Sequence, residues 1–161
     1  MTEFIQAVRC HRYAGLDKMG KPISTPDPLS EVLRLEEIPA PSCSDGQVLI
    51  DTYYAGIQYP DTLQAQGLYQ MKPELPYIPG MDVTGTVKSV GAGVEHVNVG
   101  DRVIAQMAIG GLSSVVSVGA TNVWKAPPRI PLAKCANLGR NFFPAYHSLK
   151  TLGHITAGDL V

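Results

Sequence analysis

An amide, two phenols and a carboxylate lie close together in this chain, at Gln58, Tyr59, Asp61 and Tyr69. An amide can orient a bound group through its paired donor and acceptor, and a phenol can give a hydrogen bond or a proton to a carbonyl oxygen. Asp61 has a simpler explanation as well. It can cap a short helix over 62–66 that stops at Gly67. Gln58 is better explained by a bound cofactor than by packing. Residue type alone makes Tyr69 a packed or surface ring more often than a catalyst.

Other candidate chemistry is weaker. Gly91-Ala92-Gly93 follows a strand and begins like a dinucleotide fingerprint, but the third glycine is absent. Asn98-Val99-Gly100-Asp101 reads as a turn where a helix would have to open, so a hairpin-like turn is expected instead of a phosphate cradle. His11, His96, His147 and His154 have no short metal-ligand spacing, and none pairs with a cysteine in zinc-type fashion. His147 falls on a predicted helix and is expected to be an ordinary packed or surface imidazole. Ser113-Ser114 lacks the glycine frame of a nucleophile elbow. Cys43 has no neighbouring cation to lower its pKa and reads as an inert loop thiol.

The elements that must position these residues are short and numerous. The chain has 161 residues, 16 of them glycine and 13 proline, which demands many turns between strands and points to a β-rich body. A hydrophobic fraction of 45% with 17% charged residues is enough for a packed core. A net charge of −1 gives no electrostatic reason to expect nucleic acid or an anionic membrane as partner. No apolar run is long enough to span a bilayer, and the first residues do not read as a secretory signal. Three widely separated cysteines form no disulfide framework, and a reducing, cytoplasmic setting is expected.

Strands are predicted at 5–9, 32–38, 47–55, 83–90, 102–105 and 114–118, with a long turn-rich loop over 13–28. Helices are predicted at 131–137 and 144–152, each with proline in the first turn, the second ending at Gly153. Leu160-Val161 reads as the opening of a further strand, which suggests a truncated chain whose Leu152, Leu160 and Val161 expose apolar surface.

The order of motifs carries a resemblance. Val32-Leu33-Arg34-Leu35-Glu36-Glu37-Ile38-Pro39 is followed by Gly46-Gln47-Val48-Leu49-Ile50, then Ala55-Gly56-Ile57-Gln58-Tyr59-Pro60-Asp61 and Gly67-Leu68-Tyr69. Pro79-Gly80-Met81-Asp82-Val83-Thr84-Gly85 comes next, then Val90-Gly91-Ala92-Gly93-Val94, Val99-Gly100-Asp101-Arg102-Val103 and Ala145-Tyr146-His147-Ser148-Leu149. The set resembles the zinc-independent quinone oxidoreductase branch of the medium-chain dehydrogenase/reductase superfamily.

The resemblance implies a mainly β fold with a few helices: a GroES-like, partly open β-barrel catalytic domain over 1–130, with the 13–28 loop as an insertion. Residues 131–161 would form a helical connection into a truncated Rossmann domain, ending at its first strand. The implied activity is zinc-free hydride transfer from NADPH, whose glycine-rich binding motif is expected beyond residue 161, to a quinone or enone. The complete protein would be a homodimer, and this polypeptide alone would be inactive.

Gln58 matches a residue near the nicotinamide and would position it. Tyr69 matches a tyrosine at the substrate cleft and would donate a hydrogen bond or proton to the acceptor oxygen. Tyr59, Asp61, Met81 and Asp82 would line or brace the same cleft. In zinc-dependent relatives a cysteine stands at the position of Gln58 and a His-Glu pair at Met81-Asp82, so no metal is expected. Phe142-Phe143-Pro144 replaces the family's usual Gly-Leu-Thr, and Leu63 replaces a tyrosine, so the acceptor can differ from a simple quinone. Reduction of 2-alkenals or acrylates, and a non-catalytic binding module, are the competing readings.

Overall fold

Alternation of apolar residues along the third strand sets the architecture. Val48 and Ile50 point to one face of Gln47–Gly56, and Leu49 points to the other. The protein is described by a computed structural model over residues 2–161. Seven strands form in chain order: β1 (Phe4–Cys10), β2 (Leu33–Pro39), β3 (Gln47–Gly56), β4 (Asp82–Val90), β5 (Arg102–Gln106), β6 (Val115–Gly119) and β7 (Val123–Lys125). Three helices join them: α1 (Tyr59–Gln66), α2 (Leu132–Cys135) and α3 (Leu138–Tyr146).

The five-stranded antiparallel sheet has the order β6-β3-β4-β5-β7, and β1 and β2 form a separate ribbon. The ribbon joins the large sheet ahead of β6. Ala7 bridges Ser113, Val8 donates to Leu112 at 2.8 Å, and Ser114 donates to Gln6 at 2.8 Å. The result is a partly open barrel. Its interior is filled by β-branched side chains, among them Val48, Ile50, Val83, Val87, Val103 and Val118, that fit a pleated buried surface. Two register shifts in β3 opposite β4 bend the sheet. Near the second, Gly85 passes so close to the Asp51 carbonyl that a Cβ would lie 1.9 Å from its oxygen.

The strand expectations hold within one or two residues, and β7 is an addition too short to show a pattern. The 13–28 segment contains no strand or helix; a bridge between Leu16 and Pro22 and a carboxylate turn at Asp17 organise it. Two helical expectations are corrected. The helix expected at 131–137 is the single turn α2, with Pro131 before it. The helix expected to begin at Pro144 begins six residues earlier, at Leu138, and places Pro144 in its interior. Proline cannot donate to the helical ladder. Beyond it, the chain continues as a π-helical segment over His147–Leu152, closed by Gly153 donating to Ser148 at 2.8 Å.

Packing explains the early start. A Cβ on Gly56 would lie 2.0 Å from Asn137 Oδ1, and one on Gly139 would lie 2.5 Å from Gln106 Nε2, so both glycines let this helical stretch lie directly on the barrel. Trp124 meets Phe143 edge to face at 5.4 Å. His147 is an exposed surface imidazole, and Leu152, Leu160 and Val161 are exposed. Leu160 and Val161 pair with no strand among the described residues, since a strand needs a partner edge. No helix among those residues is long and apolar enough to cross a membrane.

Candidate active site

The site is built where β3 leaves the barrel and β4 enters it. After Gly56 the chain turns into α1, with Gln58 at the N-cap in extended conformation. This corrects the expectation for Asp61. It lies inside the helix, in the first turn, and accepts the backbone N–H of Gln58 at 2.8 Å, so it reaches back to the cap instead of being the cap. The helix begins three residues earlier than expected for this reason. It ends where Gly67 takes the left-handed conformation, φ 74°, as its sequence suggested.

Asp82, the first residue of β4, is 0% exposed. Its carboxylate accepts hydrogen bonds from the side-chain amides of Gln58 and, at 3.1 Å, Gln106. Arg140 Nε lies 3.8 Å from the same carboxylate, an ion pair without a hydrogen bond. Burial pushes the Asp82 carboxyl above the ordinary aspartate value, against the two amides and the guanidinium.

Tyr69 and Met81 share a cavity of about 270 Å³ with Gln70, Met71, Ala108 and Arg140. Two groups therefore stand side by side. Gln58, Asp61 and Asp82 form one hydrogen-bonded set, Tyr69 and Met81 line an adjoining cavity, and Arg140 belongs to both. Tyr59 stands apart. It is 74% exposed and lines none of the cavities described here.

Sequence reasoning missed Gln106 and Arg140. Gln106 extends β5 by one residue and sits directly opposite Asp82 in the antiparallel register, a relation visible only once the strands are paired. Arg140 falls between the two helices as expected from sequence, in a stretch that the extended α3 absorbs.

Behind α1, several buried polar atoms have no hydrogen-bond partner among the described residues: Asp61 Oδ1, both amide atoms of Gln64 and the hydroxyl of Tyr77. Burial beside Cys10 drives the Tyr77 phenol well above the ordinary tyrosine range. The turn after β4 is closed by Gly91 donating to Gln47 and Gly46 donating to Ala92, and no helix opens there to receive a phosphate.

The alcohol dehydrogenase GroES-like domain matches residues 44–128, just over half of the chain and most of the barrel. The chain belongs to this family. A quinone oxidoreductase from Pongo abelii is 35% identical over 133 residues, which is 81% of this chain and 40% of that protein. A probable oxidoreductase from Mycobacterium abscessus superposes with a TM-score of 0.84 at 28% identity, covering 99% of this chain and 46% of the other. An Escherichia coli quinone oxidoreductase in complex with NADPH superposes with a TM-score of 0.76 at 27% identity, covering 91% and 41%. This GroES-like chain thus spans less than half the length of these relatives. Its similarities lie with quinone oxidoreductases of the medium-chain dehydrogenase/reductase superfamily.

Two of the three side chains at this site are of types that zinc sites do not use. Gln58 is an amide, Met81 a thioether, and Asp82 spends its carboxylate on Gln58 and Gln106. Zinc in proteins is held by thiolate, imidazole and carboxylate, usually three or four together. Among the described residues no three His, Cys, Asp or Glu side chains converge on one point.

Proposed function

We propose that this chain supplies the acceptor-binding side of an NADPH-dependent quinone or enone reductase that works without zinc. The observation that carries the reading is the direct hydrogen bond from Gln58 to the buried Asp82. The position of a cysteine ligand in zinc-dependent relatives and that of the glutamate in their His-Glu pair are here joined to each other. The similarity to an NADPH-bound quinone oxidoreductase supports the cofactor.

When bound, NADPH supplies the hydride. The residues of this chain supply position and a proton. Gln58 is held by Asp61 through its backbone and by Asp82 through its side chain, which supports a role in orienting the nicotinamide. Tyr69, in the adjoining cavity, donates a hydrogen bond or proton to the acceptor oxygen as negative charge develops on it. Met81 and Ala108 give that cavity an apolar wall. Tyr59 stands exposed at the start of α1.

The test is NADPH oxidation by the protein as it occurs in its source cells, offered 1,4-benzoquinone and methyl vinyl ketone, with and without a zinc chelator. Chelator-insensitive turnover is expected. Activity lost to chelator and restored by zinc would overturn the zinc-free mechanism. Absence of NADPH-dependent turnover with either acceptor would favour a binding module.

A further inference from the structure

The Tyr69 cavity carries one formal charge, and it is positive. Arg140 lines it together with Tyr69, Gln70, Met71, Met81 and Ala108, and no acidic side chain is among them. The guanidinium is held from two directions. Nε faces the buried Asp82 at 3.8 Å, and Nη2 donates to the Met107 carbonyl at 2.9 Å. Nη1 has no hydrogen-bond partner among the described residues, and the side chain remains 38% exposed. With Nε and Nη2 engaged, Nη1 is left to donate a charge-assisted hydrogen bond to a carboxylate oxygen of a ligand.

The cavity is small, and a second one adjoins it. Met71 and Ala108 also line a larger cavity of about 620 Å³, whose other walls include Ile38, Pro76, Ile78 and Ile109. The charges of that second space are of a different kind. Arg9 is paired with Glu36 at 3.2 Å, and Glu74 adds a carboxylate to the lining. An anion would be repelled by Glu74 and drawn to Arg140, whereas apolar carbon fits the isoleucine and proline walls. The two adjoining spaces, which share Met71 and Ala108, thus differ in character: the smaller is lined by a single cation, and the larger is mostly apolar, with Glu74 and the paired Arg9 at its wall.

We infer that Arg140 is a specificity-determining residue, selecting an acceptor with a carboxylate at one end and an apolar aryl or alkyl body that extends along Met71 and Ala108 into the larger cavity. The inference rests on the reductase reading for its biological meaning, but the recognition it describes is a binding event and is tested without turnover. Asp82 does not cancel the attraction. It lies on the Nε side and is wholly buried, whereas Nη1 is left without a hydrogen-bond partner among the described residues.

The probe is 4-oxo-4-phenylbutanoate, which has a carboxylate, a ketone and an aryl ring but no activated carbon–carbon double bond. Its methyl ester is the neutral control. Binding to the natural protein is measured by titration calorimetry or ligand-observed magnetic resonance. The acid is expected to bind at least tenfold more tightly than the ester. Arg140→Gln is expected to abolish that preference while leaving ester binding within twofold, and Arg140→Lys to retain part of it. Equal binding of acid and ester by the unaltered protein overturns the inference. So does an acid preference that survives Arg140→Gln. Because Arg140→Gln also removes the counter-charge beside Asp82, a lower urea midpoint is expected, and ester binding within twofold shows that the cavity is intact. A separate failure to oxidise NADPH with neutral enones would sink the reductase reading while leaving the acid-to-ester comparison standing.

Discussion

The side-chain amide of Gln58 donates to the carboxylate of Asp82, joining the start of α1 to the start of β4 across 24 positions of sequence. Gln106 holds the same carboxylate from β5, and Arg140 approaches it from α3. Four elements of the fold therefore meet on one buried side chain. Asp82 does not itself line the Tyr69 cavity, but it holds Gln58 and lies beside Arg140, which does line it.

Asp82→Ala is expected to be costly for that reason. It leaves two amide donors without their acceptor and a guanidinium without its counter-charge. The expected loss is about 3 kcal/mol, the lower end for a broken buried pair because Arg140 keeps contact with water. Urea unfolding followed by circular dichroism measures it. A loss below about 1 kcal/mol, the size of one ordinary hydrogen bond, would mean that the carboxylate does not organise the site.

A second expectation concerns pH. Burial raises the Asp82 pKa in the folded protein, so between the unfolded and folded pKa values the native state holds the extra proton. Its contribution to stability is fully present below the unfolded aspartate value and is lost as pH rises through the folded value. Glu36, Asp101 and Asp159 are shifted downward by their partners and run the opposite way, losing their contribution as pH falls. Comparing the protein with Asp82→Asn cancels those shared groups. The stability cost of Asp82→Asn is expected to be greatest at acid pH and to shrink as pH rises. A cost that grows with pH would contradict the raised value.

Much of this fold is readable from residue patterns, because a half-buried strand declares itself by alternation and a turn by its glycine. Val48 and Ile50 in β3, Val103 and Ala105 in β5, and the left-handed stop at Gly67 were all legible. What was not legible depends on contacts distant in sequence. Pro144 looked like a first-turn proline, and only the fit of Gly139 against Gln106 and of Gly56 against Asn137 shows why the helix begins earlier. Asp61 looked like a cap because its neighbours permit one, yet the extended backbone at Gln58 moves the cap three residues back. Gln106 and Arg140 carry no local signal at all. They join the site through strand register and helix packing.

Gln64 offers a test of packing separate from the site chemistry. It is 1% exposed, and neither atom of its amide has a hydrogen-bond partner among the described residues. An unsatisfied buried amide costs free energy that an apolar side chain of the same shape does not. Gln64→Met is therefore expected to raise stability by about 1 kcal/mol, toward the lower end of that desolvation cost. The unfolding midpoint reports it. A clear loss would show that the amide is satisfied in solution and contributes to the fold.

Tyr69→Phe tests the proton step most directly. The phenol lies in the cavity beside Met81, partly exposed, and its ring forms part of the wall. Phenylalanine keeps the ring and removes only the hydroxyl, so acceptor binding through apolar contact should be largely retained. If the hydroxyl supplies the proton or the hydrogen bond that stabilises the developing oxyanion, kcat should fall by about 100-fold or more, the usual range for a positioned general acid. The loss should be larger with enones, whose enolate needs that stabilisation, than with benzoquinones, whose hydroquinone anion is already delocalised. A solvent deuterium isotope effect on kcat, measured with a poor enone, should be present in the unaltered protein and altered in Tyr69→Phe. Unchanged kcat with the poorest acceptors would remove Tyr69 as the donor, leave it only a place in the wall, and move the search for the donor to water.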